Sequence, residues 1–128
     1  MVSAVLDASA VLAVLNAEPG ADLVIPMIED DVLLSTVNYA EVLAKLIERG
    51  STYNQALAAL RSIALTTVDF DIALARRTGA LRAETAKCAL SLGDRACLSL
   101  AEREGLPAVT GDRNWLGAVS GIEIRLIR

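Results

Sequence analysis

The sequence predicts an α/β domain built around a mostly parallel sheet. Short apolar runs that read as buried strands alternate with stretches of 3.6-residue periodicity that read as helices. The strand candidates are joined through helices rather than tight hairpins, which favours parallel pairing. The length of 128 residues suits one compact domain and not two. No internal repeat, low-complexity segment or linker divides the chain, so residues 1–128 are read as one domain.

The elements follow in order. Ser3 to Leu6 is a continuous apolar run closed by Asp7, a short buried strand. Ser9 is placed to cap the helix from Ala10 to about Asn16, and Glu18-Pro19-Gly20 breaks it. Ala21 to Glu29 reads as a second helix. Asp30-Asp31 turns the chain into a strand at Val32-Leu33-Leu34-Ser35. Asn38 starts a helix in which Tyr39, Val42, Leu43, Leu46 and Ile47 recur at helical spacing, and Gly50 ends it. Tyr53 to about Leu60 is its antiparallel continuation. Ala64 to Val68 is a third strand. Asp69 is read as the cap of a helix running into Arg76-Arg77 and weakened at Gly79. Leu90 to Gly93 connects to a helix from Asp94 to Glu104, closed by Gly105. Pro107 to Thr110 is a strand. Ile122, Ile124 and Leu126 alternate with Glu123 and Arg125, the pattern of a half-buried strand at or near a sheet edge.

Composition narrows the chemistry. Apolar residues make up 54% of the chain, and the only aromatics are Trp115, Phe70, Tyr39 and Tyr53. That leaves little for a base-stacking platform. The net charge of −4 argues against a purely electrostatic nucleic-acid binder. The charge is uneven, however. Arg76, Arg77, Arg82 and Lys87 form a basic-leaning stretch, readable as a phosphate-facing surface or as a solvated helix face. There is no histidine, which removes histidine-assisted serine or cysteine catalysis. Cys88 and Cys97 lack the spacing of a zinc or CxxC site and read as free thiols, Cys97 as a small buried hydrophobe. The opening MVSAVLDAS carries no basic region of a signal peptide, and no apolar run is long enough to span a membrane. A cytoplasmic protein is expected.

Four acids stand at switch points between elements: Asp7 after the first strand, Glu41 in the first turn of a helix, Asp94 at the start of another, and Asp112 just past the Pro107 strand. Ligands of open parallel sheets bind at the carboxyl ends of strands, where strand order reverses. Convergence there would make an all-oxygen cage for a hard divalent cation. Each acid also has an ordinary reading. Asn38 and Glu41 fit a capping box, and Glu41 and Lys45 an i,i+4 pair. Asp94 is a good N-cap, and Asp112 a turn residue. Asp7, directly after a buried strand, is costly unless hydrogen-bonded or metal-bound. From spacing alone the cage and the ordinary readings stand level.

Three segments decide between them by resemblance: Val5-Leu6-Asp7-Ala8-Ser9; Val37-Asn38-Tyr39-Ala40-Glu41-Val42; and Leu90 to Ala101 (LSLGDRACLSLA), followed by Leu106 to Trp115 (LPAVTGDRNW). The chain resembles PIN-domain proteins, specifically VapC-type toxins of toxin–antitoxin pairs. The resemblance covers the whole chain and is weakest from Ser51 to Lys87. It implies an α/β/α sandwich with a five-stranded parallel sheet. It implies that Asp7, Glu41, Asp94 and Asp112 hold Mg²⁺ or Mn²⁺, with Ser9, Asn38 and Thr110 as polar supports. It also implies cleavage of RNA, transfer or ribosomal RNA among the substrates, a homodimer, and a silencing antitoxin.

The residues suit that chemistry. Metal-assisted phosphodiester hydrolysis needs no histidine, and it would leave a 5'-phosphate and a 3'-hydroxyl. A catalytically silent RNA- or protein-binding module of the same fold is one alternative. The other is a phospho-acceptor signalling domain, opposed by the lack of an acidic neighbour to Asp7 and of any lysine after Lys87. On the helix at Tyr53, Ala56, Leu57 and Leu60 share a side that would dock either a neighbouring helix or a partner; the resemblance favours the dimer.

Overall fold

A computed structural model describes residues 1–128. Its strands are β1 (Ala4–Leu6), β2 (Val32–Ser35), β3 (Thr66–Val68), β4 (Ala108–Thr110) and β5 (Ile124–Leu126). Its helices are α1 (Ala8–Leu15), α2 (Ala21–Glu29), α3 (Thr36–Glu48), α4 (Tyr53–Arg61), α5 (Ile72–Glu84) and α6 (Leu92–Glu104). The sheet order is β3-β2-β1-β4-β5, and every pairing is parallel.

Side chains alternate across a strand, and this divides the core in two. Ala4, Leu6, Val32, Leu34 and Val109 face α1–α4. Val5, Leu33 and Ala108 face α5, α6 and the segment carrying Trp115, Ala118 and Val119. The result is a three-layer α/β/α sandwich with a five-stranded, wholly parallel sheet. Because both faces are covered, the central strands are apolar throughout rather than alternating. Trp115 is fully buried in the second layer.

Several helix starts differ from the sequence reading, for one reason. A capping side chain must sit where the backbone is still extended, and a nearby polar residue often competes for that place. Asp7, not Ser9, caps α1 by accepting from the Ala10 amide. Ser35 caps α3, which begins at Thr36. Asn38 is therefore inside the helix, and the Asn38–Glu41 capping box does not form. Asp71, not Asp69, caps α5. Ser91 caps α6, with Asp94 as the reciprocal partner of its capping box.

Other expectations also shift. α5 runs through Gly79 to Glu84. Lys45 pairs with Glu48 at 3.3 Å rather than with Glu41. Ile47 is exposed, whereas Val42 and Leu46 are buried. Ala56 and Leu60 are buried within this chain's own core, so that side of α4 packs intramolecularly. Cys97 is fully buried, as expected of a small hydrophobe. No helix is long and apolar enough to cross a membrane.

Candidate active-site cleft

The chain proceeds from β1 outward to β2 and β3, then returns to place β4 on the other side of β1. The β1–β4 boundary is therefore where strand order reverses, the place where an open parallel sheet leaves a crevice beyond its strand ends. Asp7 directly follows β1, and Asp112 lies just beyond β4. Glu41 comes from the first turns of α3, and Asp94 from the first turn of α6. All four line one cleft of about 310 Å³, together with Ala8, Ser9, Leu12, Glu18, Lys45, Arg49 and Arg128.

Asp7 is the buried centre of the site, with only 5% exposure. Its Oδ1 accepts from Ser9 Oγ at 2.7 Å and from the Ala10 amide at 2.9 Å. Its Oδ2 accepts from Thr110 Oγ1 at 2.6 Å. The network continues outward. The Gly111 amide donates to Ser9 Oγ, and the Asp112 amide donates to Thr110 Oγ1. Burial nevertheless pushes the Asp7 carboxyl up from its ordinary 3.8 to about 6, and the charge of Asp94 adds to the rise; the three hydrogen bonds only moderate it. Desolvation wins because it acts on the whole charged group.

Glu41 is half-buried. Asn38 Nδ2 donates to its Oε1 at 2.7 Å and also to the Gly93 carbonyl at 3.0 Å, joining α3 to α6. Burial raises the Glu41 carboxyl, and Asp94 raises it further; Asn38 and Lys45 oppose this. Gly93 has a steric role. A Cβ there would fall within the Glu41 carboxylate, so glycine lets the acid lie against α6. Asp94 Oδ2 accepts from the Ser91 amide. Asp112 Oδ1 accepts from the Asn114 amide at the 3-10 turn Arg113–Trp115. Asp112 thus does the turn work that its position suggested, whereas Asp94 serves as the third helical residue in the capping box and not as the N-cap itself. Beneath the cleft, burial pushes the Cys97 thiol up, and the charges of Asp7, Asp94 and Glu41 push it the same way. The thiol is protonated and inert.

The residue types fit a hard divalent ion. The acidic donors are carboxylate oxygens from four elements, with no nitrogen or sulfur in the cleft that would favour a softer metal. Asn38 does not itself line the cleft; it reaches the site through the bond of its Nδ2 to Glu41. As placed, no three acids stand close enough to share one ion.

The basic stretch lies outside the cleft itself. None of Arg76, Arg77, Arg82 and Lys87 lines the cleft. Arg77 is bound to Glu102 through two nitrogens, at 2.6 and 2.8 Å, and to Glu84 at 2.9 Å. Its charge is matched by Glu102 of α6 and by Glu84 of α5. α5 runs antiparallel to α6, with Arg103 beside Asp71 and Thr78 beside Ser99. Arg82 and Lys87 therefore lie toward the Asp94 end of α6, and Arg76 toward the other. The cations actually in the cleft are Lys45, Arg49 and Arg128. The first two were legible: they follow Glu41 at four and eight residues, nearly one helical stripe. Arg128 carried no local signal.

Fold and site together define a class: an α/β/α sandwich with a carboxylate-lined, cation-edged cleft at the switch point of its sheet. The sequence matches the PIN domain family over residues 4–120, nearly the whole chain, and the chain belongs to that family. Among solved structures it is similar to the DNA-bound VapBC of Salmonella typhimurium, at 22% identity and TM-score 0.80, with all of both chains covered. It is similar to VapC20 of Mycobacterium tuberculosis, described as a sarcin–ricin-loop-cleaving toxin, at 19% identity and TM-score 0.79, covering 96% of this chain and 99% of that one. It is also similar to VapBC-5 of Mycobacterium tuberculosis, a member of the VapBC family of toxin–antitoxin systems, at 26% identity and TM-score 0.68, covering 98% and 99%. No protein among those of curated function matches the chain.

Proposed function

We propose that this protein is a Mg²⁺- or Mn²⁺-dependent endoribonuclease, the toxin of a VapC-type toxin–antitoxin pair. The observation that carries the reading is the gathering of Asp7, Glu41, Asp94 and Asp112 around one cleft at the β1–β4 switch point. Similarity to structures described as toxin–antitoxin complexes and as an RNA-cleaving toxin supports it.

When bound, the metal neutralises phosphoryl oxygens and activates the attacking water. Asp7 would hold it from a position fixed by three hydrogen bonds. Asp94 would join it from the first turn of α6, and Asp112 would bind directly or through water. Glu41 Oε1 is engaged by Asn38, which leaves Oε2 to hold the metal or to orient the attacking water and receive its proton. Ser9, Asn38 and Thr110 orient the acids. The products are a 5'-phosphate and a 3'-hydroxyl, because nothing here calls on the RNA 2'-hydroxyl. Arg82 and Lys87, toward the Asp94 end, contact phosphates flanking the cleft; Arg76 is more remote. The substrate is transfer or ribosomal RNA in the cytoplasm, and the toxin works as a homodimer held silent by its antitoxin.

The phospho-acceptor alternative is set aside. It needs Asp69, after the third strand, to join Asp7, but Asp69 follows β3, an edge strand separated from β1 by β2, and it does not line the cleft. Incubating antitoxin-free protein with RNA and Mn²⁺, with Asp94→Asn and chelator controls, tests the proposal. Metal-dependent cleavage lost in the variant is expected. Binding of RNA without any cleavage would instead identify the silent module.

A further inference from the structure

A polyanionic substrate must approach at least five carboxylates in the cleft, Glu18 included, so cations within the cleft have to offset the repulsion. Only Lys45, Arg49 and Arg128 are placed to do so. Lys45 and Arg49 are paired loosely and in the open, with Glu48 at 3.3 Å and Glu18 at 3.5 Å. Such exposed pairs exchange readily for a phosphate. Arg128 forms no salt bridge with any acid. One of its nitrogens, Nη1, donates to the Pro19 carbonyl at 3.0 Å.

Two glycines border the last two residues of the β5 segment. At Gly111, just past β4, a Cβ would come within 2.8 Å of the Arg128 guanidinium. At Gly20, a Cβ would come within 2.5 Å of the Ile127 carbonyl, and the φ of +99° there independently favours glycine. Gly20 thus leaves room for the Ile127 backbone, and the Arg128 guanidinium lies over the bare backbone of Gly111, next in the chain to Asp112, with most of its donors uncommitted. That fork matches phosphate oxygens. No aromatic side chain lines the cleft, so bases are not held by stacking there.

We propose that Arg128, with Lys45 and Arg49, forms a phosphate seat that holds the backbone of single-stranded RNA across the four carboxylates. This rests on the nuclease reading and adds to it the group that binds the substrate and the mode by which it does so. Recognition in the cleft is through the backbone, sequence-tolerant and strongly salt-dependent.

The test measures binding of a short, labelled single-stranded RNA to the Asp94→Asn protein over a series of potassium chloride concentrations. Adding Arg128→Ala should flatten the plot of log affinity against log salt by roughly 0.7, and removing all three cations should flatten it by about 2. Arg128→Lys should keep the slope and lose part of the affinity. The rise in melting temperature caused by Mn²⁺, measured with Asp94 intact, should be the same in Arg128→Ala as in the parent. An unchanged slope in Arg128→Ala overturns the seat, while Mn²⁺-dependent cleavage by the parent would keep the nuclease reading. Loss of the Mn²⁺ effect in Arg128→Ala and in Arg128→Lys also overturns it, because Arg128 would then act on the acids. A parent protein that neither binds nor cuts RNA overturns both.

Discussion

At the scale of single residues, Asp7 and Gly93 show a site held against local stability. The folded Asp7 carboxyl keeps its proton up to about pH 6, whereas the ordinary value is 3.8. The folded state therefore binds the extra proton between these values. The stability contributed by this group is fully present below the lower value and is lost as pH rises through the upper one. Metal-free protein should melt at a higher temperature at about pH 5 than at about pH 7, as far as Asp7 governs the change. Asp7→Asn should remove that dependence and stabilise the metal-free protein by about 1–3 kcal/mol at about pH 7, while abolishing cleavage. Thermal melts across pH with and without the substitution check this, and a wild-type cleavage rate in the variant would contradict the mechanism. Gly93 makes a steric prediction. Gly93→Ala should cost about 1–3 kcal/mol, because its Cβ meets the Glu41 carboxylate. In a Glu41→Ala background the same change should be neutral or stabilising by up to about 1 kcal/mol, since alanine is the better helix former. A double-mutant cycle from denaturant melts gives the coupling.

At the scale of elements, α5 and α6 separate structural from substrate-facing charge. Arg77 ties the helices together through Glu102 and belongs to the fold. These groups are about a third exposed, so Arg77→Ala should cost only about 1 kcal/mol or less and leave the salt dependence of RNA binding unchanged. The paired substitution Arg82→Ala/Lys87→Ala should do the opposite: no change in melting, but a weaker salt dependence. If the two variants behave alike in both measurements, the division is wrong. The capping pattern explains why helix boundaries moved by a few residues without moving the acids. Ser35 and Ser91 take the caps, which leaves Asn38 to brace Glu41 and leaves one oxygen of Asp94 free for the cleft.

At the scale of the whole molecule, the acids crowd one edge of the sheet, and like charges disfavour one another. Millimolar Mn²⁺ or Mg²⁺ should therefore raise the melting temperature, and Asp94→Asn should diminish the gain. An unchanged curve would count against the metal site. Assembly is a separate question. The Ala56–Leu60 side of α4 is spent inside the chain, so a homodimer must use another surface. Light scattering at micromolar concentration should give the mass of a dimer, and a clean monomer mass would refute it.

The sequence by itself determined the order of elements, the α/β class and the identity of the four acids. Apolar periodicity and turn residues are local properties, and the motifs around Asp7, Glu41, Asp94 and Asp112 are contiguous. Lys45 and Arg49 were missed as cleft cations, although a helix fixes the face on which residues four apart appear and their spacing from Glu41 carried that signal. Only the tertiary structure decided which cations share the cleft. Arg77 is neutralised by Glu102, which lies 25 positions away. Arg128 reaches the site because β5 docks beside β4, with Gly20 leaving room for Ile127 and Gly111 lying under the Arg128 guanidinium. Charge pairing and close approach between remote segments depend on how the layers pack, and no local pattern encodes that.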